Sequence, residues 1–301
     1  MIEPEYILFP YEISESEVLY ITGNGFDIAH GIKSKYSDFK TWCRKNNKNI
    51  GIFDSLFSTR KDFWCDIESA LGDYDEKEIL DFCKPDEEFD LDHSLSSSAR
   101  IEDAPMSILE PALCDLRNFF VEWVNSIDIS YVRPFIKLHK NAKYLTFNYT
   151  ETLESIYSIP SKNVCHIHGC RLSKDDNYIF GHDNNRDINS YGNNLLFFEE
   201  NAYLSILEYL NAFQKPINEI ISGNSHFFDE LRDTKLVFVL GHSLSQIDTS
   251  YFKHLLSQFE KQPKFIFSAY DKNDINNIGL FVRENDIKIF EIINLDDLEI
   301  V

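Results

Sequence analysis

The sequence predicts an α/β fold, with a parallel sheet at its core and helical insertions, as one domain over residues 1–301. Three observations predict it. Apolar, β-rich runs recur at long intervals: Val18–Thr22, Lys143–Phe147, Lys235–Leu240 and Lys264–Ser268. Each is short enough to be a strand buried on both faces. The first three end at a polar or glycine-containing turn, where function collects in open α/β sheets. The stretches between the runs carry helical periodicity.

The first run stops abruptly at Gly23-Asn24-Gly25 and a helix-like pattern follows. Glycines without Cβ let the backbone approach a ligand, and a helix N-terminus offers N–H groups to an anion. A dinucleotide fingerprint needs a third glycine three residues after the second. That position is Ile28, and the next glycine is Gly31. An ordinary tight turn accounts for this segment equally well.

Further along, Tyr36–Lys45, Asp62–Leu71 and Ile108–Ser126 read as helices. Between Asp73 and Asp103 there are twelve Asp or Glu and three Lys or Arg, ending in a serine-rich stretch. Such a composition reads as a solvated surface excursion. Lys143–Phe147 leads into Asn148-Tyr149-Thr150. Cys165–Ile167 and Tyr178–Phe180 are candidate short strands, and His166-Ile167-His168-Gly169 overlaps the first of them. Asn201–Ser222 is helical and interrupted at Pro216. Lys235–Leu240 runs into Gly241-His242-Ser243-Leu244-Ser245, and Ile287–Ile292 is a candidate fifth strand. The helical insertions therefore fall at about 46–140 and 184–232.

With 301 residues, 43% hydrophobic and 14% aromatic, the chain can bury a large core. No apolar run is long enough to span a bilayer. The N-terminal MIEPEYILFPYE is acidic and lacks a basic n-region, so a cytoplasmic protein is expected. The six cysteines form no CxxC pair, which argues against a zinc ribbon and for reduced thiols. A net charge of −21 repels phosphate backbones, so nucleic acid is not an expected partner. A small anion held by backbone N–H groups remains compatible with that charge.

The histidines and carboxylates have competing readings. His166-x-His168, His182-Asp183 and His242 suggest a metal-dependent phosphodiesterase. The GNG turn, however, lacks the Asp-x-His pair that such sites use. His166 reads as structural. His30 is either a ligand contact or an exposed helix residue. Trp64 and Glu68 share a helix face by their spacing, with Trp64 in the core of an insertion and Glu68 on the surface. Asp248 reads first as the cap of the helix after the third strand, with an adenosine-ribose contact as the lesser reading, and Asp27 as either an N-cap or a ligand contact.

Taken together, Gly23-x-Gly25, Gly31-Ile32, Asn148, His168-Gly169 and Gly241-x-Ser243-Leu244 follow in the order and approximate spacing of the sirtuin-type NAD-binding fold. More closely, GNGFDIAHGIKSKYSDF, TFNY, HIHG, FGHD and LGHSLSQID resemble the AbiH family of bacterial phage-abortive-infection proteins. The resemblance covers most of the chain. It implies a Rossmann-like sheet of sirtuin type and an antiviral role, with NAD as substrate and no metal. Gly23, Gly25 and Ser243 would surround the dinucleotide phosphates, with Asn24, Gly31 and Gly241 in the same nucleotide-binding set. Asn148 would hold the nicotinamide ribose or the attacking water, His168 would be the general base, and Asp27 is a candidate for the nicotinamide side.

Departures from the sirtuin pattern narrow the activity. The acidic residue two positions after the matched asparagine is Thr150, the proline of the GIP block is Lys33, and the CxxC module is missing. Hydrolysis of NAD to nicotinamide and ADP-ribose therefore fits better than protein deacylation. The implied partners are a small-molecule nucleotide and a phage-derived trigger; homo-oligomerisation is compatible, and a membrane is not expected. A sensor that binds NAD or an ADP-ribose derivative without cleaving it is the alternative from another class.

Overall fold

The computed structural model describes residues 13–58, 63–84, 94–173, 177–184 and 197–295. They divide into two compact units. One holds the described residues of Met1–Lys35, Val124–Ile179 and Pro216–Val301, the other those of Tyr36–Trp123 and Phe180–Lys215.

The first unit is built on a six-stranded sheet. Its strands are β1 (Val18–Thr22), β2 (Lys143–Thr146), β3 (Val164–His166), β4 (Leu236–Leu240), β5 (Lys264–Ser268) and β6 (Phe290–Ile293), in the spatial order β3-β2-β1-β4-β5-β6. Every pairing is parallel. This is the strand order of a doubly wound, Rossmann-like fold. β1 and β4 are buried along their whole length, as their unbroken apolar sequences require. Successive side chains take opposite faces. Tyr144, Tyr20 and Phe238 stack across β2, β1 and β4 with ring centroids 5.0 and 4.8 Å apart. Leu19, Ile21, Leu145, Val237 and Val239 take the other face, packed with Tyr251, Phe252 and Leu255 of α12 (Thr249–Gln258). The strand order reverses between β1 and β4. The loops leaving β1, β2, β3 and β4 thus gather at one carboxyl edge.

The four principal runs are strands, with bounds that move by at most one residue. Tyr178–Phe180 is not a strand. Ile179 donates to His168 O, but β3 stops at His166 and the chain turns through Gly169 at φ +88°, so no ladder is left to extend.

The second unit is helical in its described residues. It contains α2 (Tyr36–Lys45), α3 (Gly51–Leu56), α4 (Ile67–Gly72), α5 (Glu76–Cys83), α6 (Ser94–Glu102), most of α7 (Ala104–Ser126), and α9 (Phe197–Asn211). Phe39, Phe53, Phe63 and Trp64 form an aromatic core there. α7 starts four residues earlier than predicted, because Pro105 falls in the first turn, where a missing N–H breaks no helical bond.

Two expectations for this unit are corrected. Asp66 caps α4 by accepting from Ser69 N, so the helix begins after Trp64, and Trp64 and Glu68 share no helix face. Glu68 is not a surface residue: it accepts from Gly181 N at 3.0 Å and lies 3.2 Å from the fully buried Nζ end of Lys215. The acidic stretch is only partly solvated. Ile79, Leu80 and Cys83 of α5 are buried, and α5 and α6 both pack against α9; residues 85–93 of that stretch lie outside the described residues. His182 also belongs to this unit, its Nε2 3.0 Å from Leu210 O. Among the described residues, no helix is long and apolar enough to cross a membrane.

Candidate functional site

The turns leaving β1 and β4 are locked together through their backbones. Gly23 N donates to Leu240 O at 3.1 Å, Gly25 N to Gly241 O at 2.7 Å, and Phe26 N to Gly23 O at 2.9 Å. A Cβ on Gly23 would lie 2.6 Å from His242 Cα, and one on Gly25 2.7 Å from Gly241 O. Gly241 is in the left-handed region at φ +62°, and a Cβ there would lie 2.1 Å from Phe26 N. Loop-on-loop contact therefore accounts for all three glycines, and three N–H groups of the turn are already donated within the protein.

The remaining residues of the expected nucleotide set are spread around this lock. Asn24 is tied to Ser34, its Nδ2 donating to Ser34 O at 3.0 Å and its Oδ1 accepting from Ser34 Oγ at 2.5 Å. Gly31 turns the chain beyond α1 (Asn24–Ala29), and its carbonyl accepts from Tyr131 Oη at 3.0 Å. Ser243 is exposed on the β4 exit loop, its carbonyl accepting from Asn277 Nδ2.

Asp27 is not the N-cap of α1; Gly23 holds that position. Its side chain turns inward and is 1% exposed. Oδ2 accepts from Thr150 Oγ1 at 2.5 Å. Thr152 Oγ1 lies 2.9 Å from Thr150 Oγ1. Burial pushes the Asp27 carboxyl up to about 6, against the opposing pull of the Thr150, Thr152 and Asn148 side chains beside it. Among the described residues, Asp27 Oδ1, Asn148 Oδ1 and Thr22 Oγ1 are buried without a hydrogen-bond partner. The structure thus brings Asp27 and Asn148 into one polar cluster.

A second cluster gathers around Asp248. Its Oδ1 lies 3.9 Å from His168 Nε2 and its Oδ2 3.5 Å from His242 Nε2. Leu244 N donates to His242 Nδ1 at 2.9 Å, so Nδ1 is the acceptor and the His242 proton sits on Nε2, toward Asp248. The Phe147 ring meets both imidazoles edge to face, at 5.2 and 4.4 Å between centroids. Asp248 occupies the N-cap position of α12 but makes no capping bond, because its carboxylate is turned to the histidines. The predicted cap role is therefore corrected.

His30 is neither exposed nor turned toward this edge: its Nδ1 lies 2.7 Å from Phe26 O and its Nε2 2.7 Å from Tyr157 Oη. Among the described residues, no group of three or more His, Cys, Asp or Glu side chains is arranged to hold a metal ion. Thr150 and Thr152 were not expected in the site, and Asp248 only as the lesser, adenosine-ribose reading. The only sequence signal for Asp248 was its place in LGHSLSQID, shortly after a strand exit.

The model of the family described as Bacteriophage abortive infection AbiH matches residues 19–270. That span includes β1, the GNG turn, Asn148, His168 and the Gly241–Asp248 loop. No curated protein and no solved structure matches the chain.

Proposed function

The chain belongs to the AbiH family of bacteriophage abortive-infection proteins, and from that premise we propose that it acts in antiphage defence by hydrolysing NAD to nicotinamide and ADP-ribose. The observation that carries the reading is the pairing of His168 with Asp248 at the same carboxyl edge as Asn148 and Asp27. Ligands of Rossmann-like sheets bind at that edge.

Cleavage of the nicotinamide–ribose bond passes through an oxocarbenium-like state with a leaving group that is already cationic. The protein has to orient the ribose, admit water and take up a proton. An imidazole suits the proton step, and His168 is assigned to it. Asp248 stabilises the imidazolium that forms. Asn148 orients ribose or water through an amide that does not ionise. Asp27 is the carboxylate of the nicotinamide side. It hydrogen-bonds Thr150, the residue standing where the sirtuin pattern carries its acid. His168 is 4% exposed, which suits an activity that is silent until a trigger opens the edge.

The test is nicotinamide release from NAD by the full chain, with and without infected-cell extract and with and without chelator. His168→Ala is expected to lower turnover by ~10²–10⁴-fold, and Asp248→Asn to lower it in the same direction. Calorimetric NAD affinity stays near that of the parent in both. Cleavage at the parent rate by His168→Ala overturns the assignment. NAD binding without nicotinamide release under every condition replaces hydrolysis with sensing. Activity lost in chelator and restored by one divalent ion points to the phosphodiesterase reading.

A further inference from the structure

The chemistry above leaves His242 without a role, although its buried ring lies beside the same carboxylate as His168. The loop that carries it is bent so as to fix one tautomer. Leu244 takes a left-handed backbone at φ +52°, a conformation uncommon for any residue but glycine. That turn aims the Leu244 N–H back at the His242 ring, two residues earlier, where it donates to Nδ1 at 2.9 Å. A backbone N–H only donates, so Nδ1 presents its lone pair and the ring proton sits on Nε2. Nε2 is the nitrogen that lies 3.5 Å from Asp248 Oδ2. Phe147 and Phe252 meet the ring edge to face, with centroids 4.4 and 5.1 Å away, and hold it against rotation.

His242 is therefore not equipped to act as the base. One of its nitrogens is occupied by a donor and the other already holds a proton. What it offers is an N–H on the Asp248 side of the ring. At 3.5 Å the contact is electrostatic rather than a tight hydrogen bond. It falls on Oδ2, whereas Oδ1 is the oxygen 3.9 Å from His168 Nε2. The terminal torsion of an aspartate is broad. An N–H drawn to one oxygen narrows it and keeps the other oxygen on the His168 side.

We propose that His242 is a positioning residue, which holds the Asp248 carboxylate toward His168 and takes up no proton itself. The inference rests on the assignment of His168 as the base. It gives the strained Leu244 turn a purpose, since that turn selects the tautomer that points a proton at Asp248.

His242→Asn and His242→Gln separate the two ring contacts. Asparagine places an oxygen near the position of Nδ1, where it accepts from Leu244 N, and puts nothing at Nε2. Glutamine reaches the position of Nε2 and donates to Asp248 through its amide. In NAD hydrolysis, His242→Asn is expected to lower kcat by ~10–10²-fold with KM within about twofold of the parent, a smaller loss than the ~10²–10⁴-fold of the base itself. His242→Gln is expected to recover most of that loss. Equal losses in the two variants, or a loss confined to KM, overturn the proposal.

A second readout needs no NAD activity. In nitrogen-15 histidine spectra of the full chain, His242 is expected to show a neutral ring protonated at Nε2. The His168 ring signals, assigned by their disappearance in His168→Ala, are expected to move in His242→Asn in the direction they move in Asp248→Asn. In His242→Gln they stay near the parent positions. A His242 ring protonated at Nδ1, or His168 signals unmoved by His242→Asn, overturns the proposal even where the parent cleaves NAD. Those same shifts in a parent that cleaves no NAD uphold the positioning and refute the hydrolysis.

Discussion

Replacing Gly241 with alanine tests the lock between the β1 and β4 turns. Two penalties add. An alanine at φ +62° costs about 1–2 kcal/mol over glycine, because its Cβ crowds the following carbonyl. The new Cβ also sits 2.1 Å from Phe26 N and 2.4 Å from Gly25 C, both backbone atoms that no rotamer change can move aside. Overpacking of that kind costs about 1–3 kcal/mol more. The sum, roughly 2–5 kcal/mol, corresponds to a fall in Tm of about 4–20 °C for a unit of this size. Gly31→Ala is the matched control: it shares the dihedral penalty at φ +75° but has no heavy atom within 4 Å of the added Cβ. It should lose only about 1–2 kcal/mol. Gly279→Ala, inside α13 (Lys272–Glu284) and in open space, should gain about 0.5–1 kcal/mol. Calorimetry or far-UV circular dichroism is the proper assay. Trp42, Trp64 and Trp123 all belong to the helical unit, so tryptophan emission would report the wrong part of the molecule. Equal losses for Gly241→Ala and Gly31→Ala would refute the backbone-contact argument, because the dihedral alone would then account for both.

Two further expectations concern buried charge. The Asp27 carboxyl is raised from 3.8 to about 6 in the folded chain, so the native state binds its proton more tightly than the unfolded state. The penalty for holding Asp27 ionised is absent below about pH 4, grows between pH 4 and 6, and is complete above that, at roughly 3 kcal/mol. Asp27→Asn should therefore gain stability relative to the parent as pH rises from 4 to 7.5, read by urea unfolding at each pH; a difference constant with pH would contradict it. In the helical unit, Lys215→Ala should destabilise by about 3–5 kcal/mol, because it leaves the Glu68 carboxylate without its cation. A loss below about 1 kcal/mol would mean that the pair behaves as a surface one.

Much of the fold was legible because it is written in local pattern. VLYIT, KYLTF and KLVFVL are apolar on both faces, a pattern parallel strands produce and half-exposed ones do not. The turn glycines were legible as glycines but not in their cause. Their partner is another loop more than two hundred residues away, and no local spacing records that contact. Asp248 was read chiefly as a helix cap, and the cap reading of Asp27 stood level with the ligand one, for the same reason. A capping bond is local and sequence suggests it, whereas Thr150 and the histidines reach these carboxylates only through the sheet order. Glu68 was placed on the surface because its cation, Lys215, is far away in sequence.

The two carboxylate clusters are joined at one point. Consecutive residues leaving a strand point to opposite faces. Phe147 accordingly packs with the face that holds Tyr251 and touches His168 and His242, while the Asn148 side chain lies beside Asp27. The Asn148 carbonyl also faces His166, which ties the same residue to the third histidine. A ligand that engages both clusters has to cross the end of β2 at Asn148. Asn148→Ala therefore disturbs every part of the edge at once and does not separate binding from chemistry. Asp27→Asn and Asp248→Asn each change one carboxylate by a single atom and leave Asn148 in place. Only that pair of variants tells which side of the strand end holds the group that must be recognised and which side moves the proton.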